Sequence, residues 1–405
     1  MSRRVVVTGA GGLSPIGNDW PTIRAALFGG VSGVRYMSEW ESMQGLTCYL
    51  GAPVDFDPAA HFKRRALRSM GRVAALGVRA TELAIEDAGL ARDQLTDGRT
   101  GVAYGSATGS PDALLEFVSI LTREDASELK ATSYLRSMGH TAAVNIGVYF
   151  GLTGRVLTTS SACTASSQAI GFAYEQIASG AQDVMLAGGS DELTAAHTAV
   201  FDSLLATARS NDQPTRTPRP FDESRDGLVL GEGAATLVLE SEAHAQARGA
   251  TVLAEVIGFA TNSDGRHITQ PNAATQAECL KMALADAQVE AADVAYVSAH
   301  GTATDTGDVS ESEATRAALG HVAIGAMKGN VGHTLGACGA LEAWAAIMMM
   351  REGRFAGTLN LEKVDERCAD LDYLNGAGRE IDARIVMSNN FAFGGINTSL
   401  LFARA

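Results

Sequence analysis

The chain has 405 residues, 46% hydrophobic and only 19% charged, enough for two to three domains' worth of buried core. Its net charge of −14 excludes nucleic acid and an anionic membrane as main partners, because either needs a basic face. Five scattered cysteines (Cys48, Cys163, Cys279, Cys338 and Cys368) form no CxxC pair, which argues against a disulfide framework or a zinc or other metal site and fits a reducing cytoplasm.

The opening MSRRVVVTG reads as a strand over residues 4–8 rather than a signal peptide, and no apolar run is long enough to span a membrane. GAGGLSPIGN follows. Its G-x-G-x-x-G pattern fails at Ser14, so a glycine-rich structural turn is expected there, not a nucleotide site. Residues 62–88 predict one long helix ending at Gly89, with Arg65, Arg68 and Arg72 on one face as a dock for an acidic partner. Strands are expected at 101–105, 155–159, 183–189 and 234–240, and a helix at 164–179 with Ile170, Ala173 and Ile177 on one face. Residues 211–233, rich in Pro, Gly and paired charges, read as an ordered surface loop with structural ion pairs. A second series follows, with strands at 252–259, 294–299, 322–326 and 384–388, a helix at 274–287 and a core helix at 340–350. The two series are alike in order and size, so an internally duplicated βαβ architecture is expected, with halves 1–249 and 250–405.

SSACTASS places Cys163 between a strand and a helix start. A helix N-terminus favours thiolate, and at a free pKa of about 8.5 only roughly 3% would be ionised at pH 7, so a depressed value is expected to activate this sulfur. A lone cysteine is more often a small buried hydrophobe. Two histidines in glycine-bearing turns change that balance: His300 in VSAHGTATDTGD and His333 in KGNVGHTLGACGA. SNNFAFGGIN, a strand end entering a glycine-rich loop, offers backbone N–H groups to a developing oxyanion.

Together and in this order, SSACTASS, HGTATDTGD, KGNVGHTLGA and NNFAFGGIN resemble the elongating β-ketoacyl-[acyl-carrier-protein] synthases, over nearly the whole chain. The resemblance implies an α/β thiolase fold, an internally duplicated, layered α-β-α-β-α core. It implies that Cys163 takes an acyl chain from a carrier's phosphopantetheine thioester, and that His300 and His333 stabilise the enolate left when malonyl-carrier loses carbon dioxide. Lys328 and Glu311 become a supporting charged pair, Thr302 and Thr304 bond the pantetheine amides, and the N–H groups of Cys163 and Phe393 form the oxyanion hole. Phe391 and Phe393 match a gating loop, and Thr108 an acyl-tunnel position. FAFGGIN departs from the family's FGFGGTN, so a stiffer loop is expected at Ala392. Ser298 departs from the asparagine of some members, which puts in question a monovalent cation near Glu342, Ser388 and Asn389.

The resemblance further implies no cofactor beyond the carrier's phosphopantetheine. It implies acyl carrier protein as partner, docked on Arg65 and Arg68, and a homodimer or a heterodimer with a ketosynthase-like subunit. The alternative reading is a non-catalytic, chain-length-determining partner of a ketosynthase. Such subunits lack the cysteine that this chain keeps. A papain-like hydrolase leaves His333 and Lys328 without a role.

Overall fold

The computed structural model describes residues 2–127 and 129–405. Its short, β-branched runs form one eleven-stranded sheet from β1 (Val5–Leu13), β2 (Thr100–Gly105), β3 (Val156–Thr159), β4 (Val184–Asp191), β5 (Gly233–Ser241), β6 (Ala254–Ser263), β7 (Val294–Ser298), β8 (Ala323–Gly325), β9 (Asp372–Tyr373), β10 (Ile385–Ala392) and β11 (Ile396–Ala403). The order is β9-β8-β7-β10-β11-β6-β1-β5-β4-β2-β3. Two matching sets meet where Val5 to Val7 of β1 pair with Val256 to Ala254 of β6. Read inwards, β3-β2-β4-β5-β1 and β8-β7-β10-β11-β6 each make two parallel and then two antiparallel pairings. This is a duplicated α/β core of the thiolase type.

Six helices place the chemistry: α1 (Arg72–Ala88), α2 (Ala165–Ala178), α3 (Ala195–Ser203), α4 (Ala273–Ala287), α5 (Asp305–Leu319) and α6 (Cys338–Glu352). α1 covers β1 and β5 on one outer side, α4 covers β6 and β11 on the other with α5 beside it, and α2 and α6 pack on each other inside. α6 is apolar on nearly every side, and all its residues from Cys338 to Ile347 are buried, so it needs neighbours all round. No helix among the described residues is long and apolar enough to cross a membrane.

Three expectations give way. The glycines after residue 8 are strand, not turn: a Cβ at Gly9 or Gly11 would lie 2.6 Å from backbone atoms of Ala84, so their absence lets α1 rest directly on β1. The helix expected over 62–88 is broken into Arg64–Leu67 and α1, with a separate short turn of helix before it at Pro58–His61. Gly71, just before α1, is extended (φ −82°, ψ −179°), and only glycine fits there, since a Cβ would meet the Ser110 hydroxyl at 2.1 Å. The break turns Arg72 inwards to Glu232 (2.6 Å), so it leaves the basic face, while Arg65 and Arg68 stay exposed without an ion-pair partner among the described residues. Residues 211–233 do hold an ion pair, Arg225 with Asp365 at 2.6 Å, but Phe221 and Leu228 to Leu230 are buried. Their place is beneath the candidate site.

Candidate active site

β3 delivers the chain into a tight turn, Ala162–Thr164, from which α2 departs. Ala162 takes a left-handed φ of 49°, an unusual conformation for a residue with a Cβ, and thereby turns Cys163 into the interior. Burial pushes the Cys163 thiol up to about 12, although Lys328 and the backbone N–H groups of Cys163 and Phe393 pull the other way. The resting group is therefore a thiol. Desolvation outweighs the helix-terminus effect expected from local sequence. The same two N–H groups face the sulfur, where an oxyanion on a captured carbonyl would form.

His333 lies with Nε2 3.0 Å from Cys163 Sγ. Its Nδ1 accepts the Leu335 N–H at 3.0 Å, so in the neutral ring the proton sits on Nε2, aimed at the sulfur. Backbone bonds to residues 229–231 hold it there: the His333 N–H donates to Val229 O (2.7 Å) and the Gly231 N–H to His333 O (2.9 Å). His300 has the same polarity, because the Lys328 ammonium, which can only donate, lies 3.2 Å from its Nδ1. The sulfur and one ring nitrogen of each histidine lie within 4.8 Å of one another, with the two rings perpendicular. Burial first and Lys328 second push both imidazoles well below the usual histidine range. Two neutral N–H donors thus converge beside one nucleophile.

Lys328 is buried, donates to His300 O at 2.6 Å and pairs with Glu342. Glu342, not Glu311, is thus its ion partner. Glu311 instead accepts the N–H groups of His300 and Gly301, each at 2.7 Å, and burial raises its carboxyl to about 8. It clamps the histidine turn. Removing one member of a buried ion pair strands the other charge, so Lys328→Met is expected to cost about 3–5 kcal/mol in denaturant unfolding. A loss below about 1 kcal/mol would mean that the pair does not hold this corner together.

The sequence matches the family model "Beta-ketoacyl synthase, N-terminal domain" over residues 2–245 and its C-terminal counterpart over 253–362. 3-Oxoacyl-[acyl-carrier-protein] synthase 2 of Vibrio harveyi is 35% identical over 410 residues, spanning 99% of each chain. The chain belongs to the β-ketoacyl synthase family. A solved β-ketoacyl synthase from Burkholderia phymatum is 54% identical, with a TM-score of 0.98 over 100% of both chains. AntDE:AntF, a type II polyketide-synthase acyl-carrier protein in complex with its ketosynthase, is 29% identical with a TM-score of 0.90, also over 100% of both chains.

In this synthase a pocket of about 350 Å³ leads from the surface to Cys163, His300 and His333, with Thr302, Thr304, Phe391 and Phe393 in its wall. The Thr302 and Thr304 hydroxyls are 2.8 Å apart. Phe391 stands edge-on to His300, and Phe393 stacks on Phe201 with centroids 5.5 Å apart. Ala392 is the last residue of β10, and the left-handed positions of the loop fall on Gly394 and Gly395, so alanine brings no backbone strain. Thr108 is outside this group: it is exposed, does not line the pocket, and bonds His197 Nε2 at 2.9 Å.

The residues considered for a cation differ in how far their polar atoms are engaged. Both Glu342 oxygens are taken, by Lys328 and by Asn390 Nδ2 (2.6 Å), while Ser388 Oγ and the Asn389 amide have no hydrogen-bond partner. Phe201, Asn390 and the 229–231 segment also belong to the site. Nothing local marks them in the sequence: Phe201 reads as one more apolar helix residue, and Asn390 as one more polar residue of a terminal strand.

Proposed function

We propose that this condensing enzyme joins an acyl chain held on Cys163 to the two-carbon unit of malonyl-[acyl-carrier protein], releasing carbon dioxide and β-ketoacyl-carrier, in fatty-acid elongation or a related polyketide pathway. The observation that carries the reading is His333, with Nδ1 engaged by Leu335 N–H and Nε2 3.0 Å from Cys163 Sγ. First, Cys163 Sγ attacks the acyl thioester, the oxyanion is received by the N–H groups of Cys163 and Phe393, and the pantetheine thiol leaves with the proton. Cysteine suits this step because thiols are both soft nucleophiles and good leaving groups. Next, the bond from the malonyl α-carbon to its carboxylate breaks, and the electron pair moves to the thioester oxygen, which His300 and His333 stabilise through their Nε2–H groups. The carbanion then attacks the acyl carbonyl and expels Cys163 as thiolate, which regains a proton from water. Loss of carbon dioxide creates the carbanion without a strong base, so neutral donors suffice.

In this reading residues 1–249 bring the nucleophile and 250–405 the two histidines, a division supported by the matched strand orders. Thr302 and Thr304 line the pantetheine path, and Phe391 and Phe393 gate the acyl chain. Unpaired cysteines among the described residues agree with a cytoplasmic setting. Exposed Leu115, Leu121, Val148 and the edge strand β3 with Val156 support a dimer, assigned here as a homodimer.

Incubating the protein with acyl-loaded carrier and malonyl-carrier tests the reading: an acyl adduct on Cys163 by intact mass, then carbon dioxide and a β-ketoacyl product. An acyl chain that never reaches Cys163 would instead favour a non-catalytic partner subunit. Arg65 and Arg68 are assigned to carrier docking. Arg65→Glu combined with Arg68→Glu is expected to raise KM for the carrier about tenfold at low salt, with the difference shrinking near 0.5 M salt as screening sets in. An unchanged KM at low salt removes this docking face.

A further inference from the structure

Asn390, on β10, is fully buried against His300, and nothing in the condensation scheme above uses it. Its side chain meets four groups. Oδ1 accepts the Ser167 hydroxyl at 2.6 Å, while Nδ2 donates to Glu342 Oε2 at 2.6 Å and lies 3.2 Å from His300 Nδ1 and 3.6 Å from Cys338 Sγ. These neighbours determine which way the amide points, because the Glu342 carboxylate, paired with Lys328, can only accept. Space for this arrangement comes from Gly339, where a Cβ would lie 2.3 Å from Ser167 Oγ and 2.6 Å from Asn390 Oδ1.

We propose that Asn390 is a positioning residue that, with Lys328, holds His300 as the Nε2–H tautomer, and that through Ser167 it ties this imidazole to α2, the helix that presents Cys163. The proposal rests on the condensing reading above and concerns its decarboxylation step. His300 Nδ1 faces two groups with hydrogens to give and none that accepts, so a proton on Nδ1 has no partner. A reversed amide would put Oδ1 beside Nδ1, invite the proton there, and leave Nε2 a bare lone pair where the enolate oxygen needs a donor. The ammonium of Lys328 alone does not provide this selection across the two halves, because Lys328 makes no bond to α2.

The test separates the half-reactions on the purified enzyme: acylation of Cys163 by acyl-carrier, followed by intact mass, and release of carbon dioxide from malonyl-carrier. Asn390→Ser removes the Nδ2 donor. Decarboxylation kcat is expected to fall about tenfold, with KM for malonyl-carrier and the acylation rate within about twofold of wild type. Asn390→Asp keeps the shape but sets an acceptor against Nδ1. Decarboxylation is then expected to fall about 100-fold at pH 7.5 and to recover partly near pH 6, where imidazolium again carries an Nε2 proton. The groups facing His300 in that titration are Lys328, Glu342, Cys338, His333 and Cys163, with Glu311 on its backbone.

Wild-type decarboxylation in Asn390→Ser, or equal loss of acylation and decarboxylation, overturns the proposal, as does an Asp variant without recovery on acidification. If the Asp protein does not fold, the Ser comparison decides. A wild-type enzyme that neither acylates nor decarboxylates would instead overturn the condensing reading, before any variant is compared.

Discussion

Cys163→Ala is expected to lower condensation by on the order of 10⁴-fold or more, to background, with no acyl adduct in the intact mass. No other nucleophile can substitute. Cys338, the next thiol in the site, is spent on a bond to the Cys163 carbonyl at 3.2 Å, and burial holds it well above the usual thiol range. Carbon dioxide release from malonyl-carrier should persist within about tenfold in the same variant, because it relies on the two imidazole donors and forms no bond to sulfur. That divergence is the informative part: it separates loss of the nucleophile from loss of the fold. Full condensation without the sulfur would end the assignment of Cys163, and joint loss of both activities with an altered melting curve would point to misfolding.

His300→Ala and His333→Ala are each expected to slow decarboxylation by about 10²–10³-fold, the range for removing one hydrogen-bond donor from a developing oxyanion in a dry site. They should differ in the first half-reaction. His333 Nε2 touches the sulfur, so its removal should also slow acylation, whereas His300→Ala should leave acylation within a few-fold of wild type. The pH dependence follows from their role as neutral donors. Both imidazoles titrate well below the usual value of about 6.5, so decarboxylation kcat should stay flat from pH 8 to pH 6. Neither ring takes up a proton in that range, and the Nε2–H donor is present throughout it. A limb centred near pH 6.5, or variants with undiminished decarboxylation, would argue that these residues act otherwise.

Much of this site was legible in the bare chain, for a reason particular to its residues. Cys163, His300 and His333 each sit in a stretch of small residues beside a strand-like run, and the small neighbours are what let backbone and substrate approach so closely. The duplicated order of strands and helices was legible for the same reason that β-branched runs and helical spacing are: both are local. Partner choice was not. Lys328 stands 17 residues from Glu311 and 14 from Glu342, and no rule of spacing prefers one. The need for glycine at the break before α1 comes from Ser110, 39 residues beyond Gly71, and the need for it at Gly9 and Gly11 comes from Ala84 on α1. The expectation of a thiolate failed because a helix N-terminus is a local feature and desolvation a global one.

The order of residues by itself determined the reactive atoms, the succession of strands and helices, and hence the kind of chemistry open to the chain. Folding alone decided that Glu342 meets Lys328, that Leu335 N–H occupies one nitrogen of His333, and that Lys328 and Asn390 face one nitrogen of His300. In an interior shielded from water each polar group takes its character from the one or two groups it touches, and which groups touch is a property of three dimensions.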